Sequence, residues 1–124
     1  MKLSNKMKPY TLTEYEECII LFDYLSLLQN KGKIILFTHI PNSTYTPSWN
    51  QKRRNKRMGV SAGVPDYMII TKKKLLFIEM KREKGGVISE EQNMWIDGLN
   101  SVKGVFASVA RGFDEAKNIV DNNI

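Results

Sequence analysis

The sequence predicts one α/β domain with elements in the order α-β-β-β-α-β-α. Two capping boxes, Thr13-Glu14-Tyr15-Glu16 and Ser89-Glu90-Glu91-Gln92, each precede apolar residues at helical spacing. Apolar runs over 34–40, 64–71, 75–81 and 105–110 are bounded by turn residues, as strands are. With 124 residues, 42% hydrophobic and 26% charged, the chain can bury a real core and has the composition of one folded domain.

Residues 1–10 are polar and basic and read as a loose arm. Thr13 caps the first helix and Glu16 reaches back to it, so the helix runs from about 14 to 29, where Asn30 and Gly32 stop it. Cys18, Leu21, Phe22, Leu25 and Leu28 form its expected apolar stripe. The strand at 34–40 ends in His39-Ile40-Pro41-Asn42, because proline cannot continue a central ladder. Residues 43–62 show no apolar period and read as a long functional loop. Trp49 in that loop either offers an aromatic surface among basic charges or pins the loop to the core.

A hairpin follows, with strands at 64–71 and 75–81. Leu75, Phe77, Glu79 and Lys81 share one face of its second strand, and Leu76, Ile78 and Met80 share the other. Both faces are apolar as far as Ile78, which predicts a central strand covered on both sides. A glycine-bearing loop then leads to the second capped helix, which ends near Asn100 and carries Met94, Trp95 and Leu99 as its apolar positions. A strand at 105–110 and a helix opening at Gly112-Phe113-Asp114 complete the order.

One cysteine and one histidine exclude a zinc ribbon or finger and an internal disulfide, and suggest an intracellular setting. The apolar runs are too short to span a membrane, and the N-terminus lacks the apolar core of a signal peptide. The net charge is +6 and the pI near 9.5, which points to a polyanionic partner. Lys52, Arg53, Arg54, Lys56 and Arg57 place five positive charges within seven residues, and Lys72–Lys74 and Lys81, Arg82 and Lys84 form further clusters. With Asn42, the 52–57 group is the expected DNA contact.

The hairpin carries the chemistry. Phosphodiester hydrolysis needs the phosphate charge neutralised and water made nucleophilic, which a divalent ion does. Magnesium takes one or two carboxylates, carbonyl oxygens and waters. Asp66 and Glu79 are the candidate carboxylates, the carbonyl of Met80 a third oxygen, and Lys81 the group that holds the attacking water or the scissile phosphate. A turn of two or four residues sets Ile70 opposite Leu75 and therefore Asp66 opposite Glu79 on one face. A three-residue turn puts them on opposite faces unless a bulge restores the phase. Glu79 continues an apolar face, where an unpaired carboxylate is costly. Taken singly, Pro-Asp and Glu-x-Lys are common, and Gln92 is already explained by capping; their combination is what points to a site.

Gly63-Val64-Pro65-Asp66, Phe77-Ile78-Glu79-Met80-Lys81 and Ser89-Glu90-Glu91-Gln92 together resemble the VRR-NUC (virus-type replication-repair nuclease) family of the PD-(D/E)XK superfamily. The resemblance extends to residues 39–42, the acidic first helix and Asp114-Glu115-Ala116, over nearly the whole chain as a stand-alone, phage-like version. It implies a restriction-endonuclease-like αβββαβ core, a mixed central sheet flanked by helices, and a Mg²⁺- or Mn²⁺-dependent DNA endonuclease. By that resemblance Asp66 and Glu79 bind metal, Lys81 is the catalytic lysine and Gln92 orients site or substrate. A first-helix glutamate completes the set, either Glu14, which fits the helix best, or Glu17. Cys18 stands where related members often carry glutamine.

Stand-alone members resemble homodimeric junction-resolving enzymes, and fused members act on flaps. The resemblance therefore implies a homodimer cutting branched DNA such as Holliday junctions in DNA repair, in the host cytoplasm if phage-encoded. The alternatives are a flap-directed nuclease, a catalytically silent basic nucleic-acid-binding module, and a structural or ribosome-associated protein. The last leaves the core-face Glu79 unexplained.

Overall fold

A computed structural model describes residues 10–41 and 46–124. Most of the expected N-terminal arm, and Asn42 with its expected DNA contact, lie outside the described residues. Among those described, the elements are α1 (Glu14–Asn30), β1 (Leu36–His39), α2 (Trp49–Met58), β2 (Tyr67–Ile70), β3 (Leu75–Lys81), α3 (Glu90–Asn100), β4 (Val105–Arg111) and α4 (Phe113–Asp121). The expected elements occur in the expected order.

Helix α2 is an addition, within what reads in sequence as a loop. Ser48 caps it by accepting from the Gln51 N–H at 3.2 Å, and Gly59, with φ of 84°, ends it in the left-handed conformation. Every α2 residue except Asn55 is exposed, so the helix has no apolar stripe to reveal it. Trp49 is 76% exposed and lies under the Lys52 ammonium, 4.9 Å from the ring centre, so it does not pin a loop to the core.

The sheet is mixed, in the order β1-β2-β3-β4, with β1/β2 and β2/β3 antiparallel and β3/β4 parallel. Strand β3 is internal, as its composition predicts. Leu76, Ile78 and Met80 are fully buried beneath Leu21, Leu25 and Leu28 of α1 and Ala116 and Val120 of α4. The opposite face is only partly covered, contrary to expectation: Leu75 and Phe77 are half-buried. Helix α3 lies on this side, where the Asn100 side chain bonds both backbone groups of Ala107 at 2.8 Å and seats the end of α3 against β4. Met94 and Trp95, expected as core, are 68% and 37% exposed there.

Helix α1 is capped as predicted, with Thr13 Oγ1 accepting from Glu16 N and Glu16 Oε1 from Thr13 N. Its stripe is rotated from the expected one. Glu17, Leu21, Leu25 and Leu28 are buried, whereas Phe22 is half-exposed and packs on Phe37.

The hairpin register places Ile70 opposite Leu75 and Tyr67 opposite Ile78, as the even turn requires. Thr71 closes that turn: its N–H donates to the Lys74 carbonyl, and its hydroxyl oxygen accepts from the Lys73 and Lys74 N–H groups. Gly63, with φ of 90°, lets the first turn of α3 come against the approach to β2. A Cβ there would stand 2.6 Å from the Glu91 carbonyl carbon. We expect Gly63→Ala to cost at least about 2 kcal/mol, measured as a lower urea midpoint, because both the backbone conformation and the helix approach are strained.

Candidate active site

The ladder between β2 and β3 ends at Tyr67 and Ile78, while β3 continues to Lys81 alongside β4. One step beyond the last pair, Asp66 and Glu79 face each other across the point where the strands part. Asp66 Oδ2 accepts from the Met80 N–H at 2.7 Å, taking the place of a ladder carbonyl. A strand residue's N–H and C=O point to the same side, so the Met80 carbonyl also faces this gap. Glu79 is 3% exposed; its Oε2 accepts from Gln92 Nε2 at 3.0 Å and lies 3.8 Å from Lys81 Nζ. Its Oε1 is buried and accepts no hydrogen bond; when Glu79 holds its proton, its carboxyl donates to Asp66, and the anion has no donor at Oε1.

Gln92 does two things at once. Its Oε1 accepts from the Ser89 N–H, closing the capping box, and its Nε2 fixes Glu79. The capping role predicted from sequence therefore does not compete with a place in the site. A cleft of about 430 Å³ gathers Glu14, His39, Pro41, Asp66, Glu79, Lys81 and Gln92. His39 reads in sequence only as a strand end. The pairing of His39 with Tyr67 carries it beside Asp66, and that pairing has no local sequence signal.

Residues 25–114 match the VRR-NUC domain family. The chain belongs to the VRR-NUC family. It is thus a nuclease domain of the PD-(D/E)XK type. A solved VRR_NUC domain protein is similar over 93% of this chain and 90% of its own, with a TM-score of 0.69 and 23% identity, a likeness of fold. No curated protein matches the chain. The matched span of the VRR-NUC domain includes Asp66, Glu79, Lys81 and Gln92; Glu14 precedes it.

The acids of this VRR-NUC domain hold their protons unequally. Burial, reinforced by the Asp66 charge, pushes Glu79 up to about 8, against the pull of Lys81. Burial also raises Asp66, but the Met80 N–H, then the Glu79 carboxyl that donates to it, then the His39 and Lys81 charges oppose the shift by favouring its anion. Burial and then Asp66 raise Glu14.

The donor set fits a hard divalent ion. Glu79 Oε1 is a buried oxygen lacking a donor, the Asp66 carboxylate faces the same cleft, and the Met80 carbonyl lies on the Asp66 side of β3 with its N–H. Among the described residues, no three His, Cys, Asp or Glu side chains converge on one point. Magnesium needs no such cage, because waters complete its shell.

The two first-helix acids separate cleanly. Glu14 lines the cleft, and Glu17 does not. Glu17 is 2% exposed and accepts the Phe113 N–H at 2.8 Å, anchoring the start of α4 against α1. Gly112 makes room for it, since a Cβ there would lie 2.4 Å from Glu17 Oε2. Glu17→Ala should therefore lower stability by about 1–3 kcal/mol, by leaving the part-buried Phe113 N–H unpaired. Glu14→Ala should leave stability within about 0.5 kcal/mol. Thermal melts of the two variants separate the roles.

Lys52, Arg53, Arg54, Lys56 and Arg57 do not line the cleft. They project from α2, where Asn50, Arg53, Arg54, Arg57 and Met58 border a separate shallow groove of about 480 Å³. Arg53 Nη2 donates to Asn50 Oδ1 at 2.6 Å.

Proposed function

We propose that this VRR-NUC domain is a divalent-metal-dependent endonuclease that cuts branched DNA, four-way junctions foremost, as a homodimer. The observation that carries the metal requirement is Glu79 Oε1, buried without a donor beside a second carboxylate. Mg²⁺ or Mn²⁺, when bound, would neutralise phosphate charge and lower the pKa of water. Asp66, Glu79 and the Met80 carbonyl would hold the ion. Gln92 keeps Glu79 Oε2 engaged and so leaves Oε1 for that task. Lys81 positions the scissile phosphate or the attacking water. Water oxygen adds to phosphorus as the 3′-oxygen leaves, giving a 5′-phosphate and a 3′-hydroxyl. Glu14, at the mouth of the cleft, adds a carboxylate on the solvent side.

The five cations of α2 supply backbone contacts away from the reacting phosphate, and their uniform sign matches a polyanion. A dimer would bring two sites to one junction for paired nicks. No helix among the described residues is long and apolar enough to cross a membrane. A flap-directed nuclease would use the same residues on a different branch.

The test is a cleavage panel of duplex, flap, fork and four-way junction with Mg²⁺, with Mn²⁺ and with chelator. Junction cutting that requires either ion is expected, with sedimentation reporting a dimer. A preference for flaps selects the second reading. Tight binding without cleavage under every condition selects a silent binding module.

A further inference from the structure

A second pocket, also about 430 Å³, shares Glu14, His39 and Asp66 with the active-site cleft. The rest of its wall is apolar and aromatic: Tyr15, Cys18, Ile19 and Phe22 from α1, and Tyr67 from β2. The four α1 residues recur at three- and four-residue intervals, so they form one stripe on the helix. That stripe lies at the surface, with Tyr15 73%, Ile19 44% and Phe22 49% exposed. The wall is nonetheless held in place. Phe22 packs against Phe37 at 5.8 Å, His39 against Tyr67 at 5.1 Å, and the Tyr67 hydroxyl donates to the Cys18 carbonyl at 3.2 Å. Burial pushes the Cys18 thiol up to about 11, so it adds no charge at neutral pH.

An apolar wall that runs into a phosphodiester site limits what can occupy it. Any phosphate held between Asp66 and Lys81 is covalently joined to a nucleoside, whose base has flat, weakly polar faces. A base stacked in a duplex cannot leave the helix without losing its neighbours, whereas a base at a branch has already lost some of them. Aromatic side chains stack on any base, so such a pocket reads how easily a base leaves the helix and not sequence. We propose that this pocket receives a nucleobase extruded beside the scissile phosphate, which a branch point gives up at lower cost than a continuous duplex, and that it confines cleavage to branch points. The inference rests on the nuclease reading and adds the device that selects the substrate.

The experiment uses a four-way junction and a matched duplex, each carrying 2-aminopurine next to the cleavage position, bound by the full chain in chelator. The wild-type chain should change the probe's fluorescence at the branch and not in the duplex. Tyr15→Ala and Phe22→Ala should each abolish that change and weaken junction binding on the order of tenfold. Duplex binding should stay within about twofold, since the phosphate contacts remain. Tyr15 is exposed enough that its variant tests the idea even if Phe22→Ala perturbs packing on Phe37. Persistence of the signal in both variants, or an equal signal in the duplex, overturns the proposal. So does conversion of a dimer to a monomer by either variant in sedimentation, which would assign the pocket to a second copy of the chain. A wild-type chain that binds no DNA at all sinks the nuclease reading itself.

Discussion

Lys81→Ala is expected to slow junction cleavage by about 10²–10³-fold, the usual loss when one group aimed at transition-state charge is removed. The Lys81 ammonium lies 3.8 Å from Glu79 Oε2 and reaches into the cleft from the last residue of β3. Its loss should fall on kcat, with KM changed by less than about threefold, because an interaction made in the transition state is removed and substrate binding is not. Asp66→Ala should be at least as inactive and also less stable, by about 1–3 kcal/mol, since it strands the Met80 N–H as well. Single-turnover assays and urea titrations check both. Unchanged cleavage in the two variants would show that the hairpin is not the site.

Glu79→Gln should separate stability from activity. The Glu79 carboxyl ordinarily titrates at 4.5 and here at about 8. Between those values the folded chain keeps a proton that the unfolded chain has released. Stability from this group is therefore full below about pH 4.5, and it declines as pH rises until the folded group ionises near 8. Glutamine cannot ionise, so in chelator at pH 8.5 the variant should be more stable than wild type by about 1–2 kcal/mol, on the order of 5 °C in Tm. The same change should abolish cleavage and remove most of the downward slope of Tm against pH between 5 and 8. Added Mg²⁺ should stabilise wild type and not the variant, because only the wild type gains by placing a cation against a buried carboxylate. Melts across pH with and without the ion provide the check. A variant no more stable than wild type at pH 8.5 would mean that Glu79 is already paired as an anion.

Much of this site is local, and local features are legible in sequence. Two capping boxes fixed the starts of α1 and α3, because a cap needs only residues three apart. Counting puts Asp66 opposite Glu79 only if the turn is even, and the register of Ile70 opposite Leu75 meets that condition. Helix α2 escaped because it buries no stripe, although Ser48 and Gly59 mark its two ends. Of the expected stripe Cys18, Leu21, Phe22, Leu25 and Leu28, the three leucines are buried and Phe22 is not, because apolarity favours Phe22 over Glu17 on the flank of that stripe. The fold chose Glu17, since it caps the start of α4 from 96 residues away.

The sequence by itself determined the order of every element but α2 and the acid, lysine and glutamine positions along the hairpin, and it tied the hairpin register to the length of one turn. These follow from side-chain period and caps, which act over a few residues. Only the tertiary structure made that turn even, put Glu14 and not Glu17 at the cleft, admitted His39 to it and showed Gln92 serving as cap and as Glu79's partner. Those depend on which helix face meets the sheet and on how β1 pairs with β2. Such contacts are set by packing of the whole core, and no short stretch of residues encodes them.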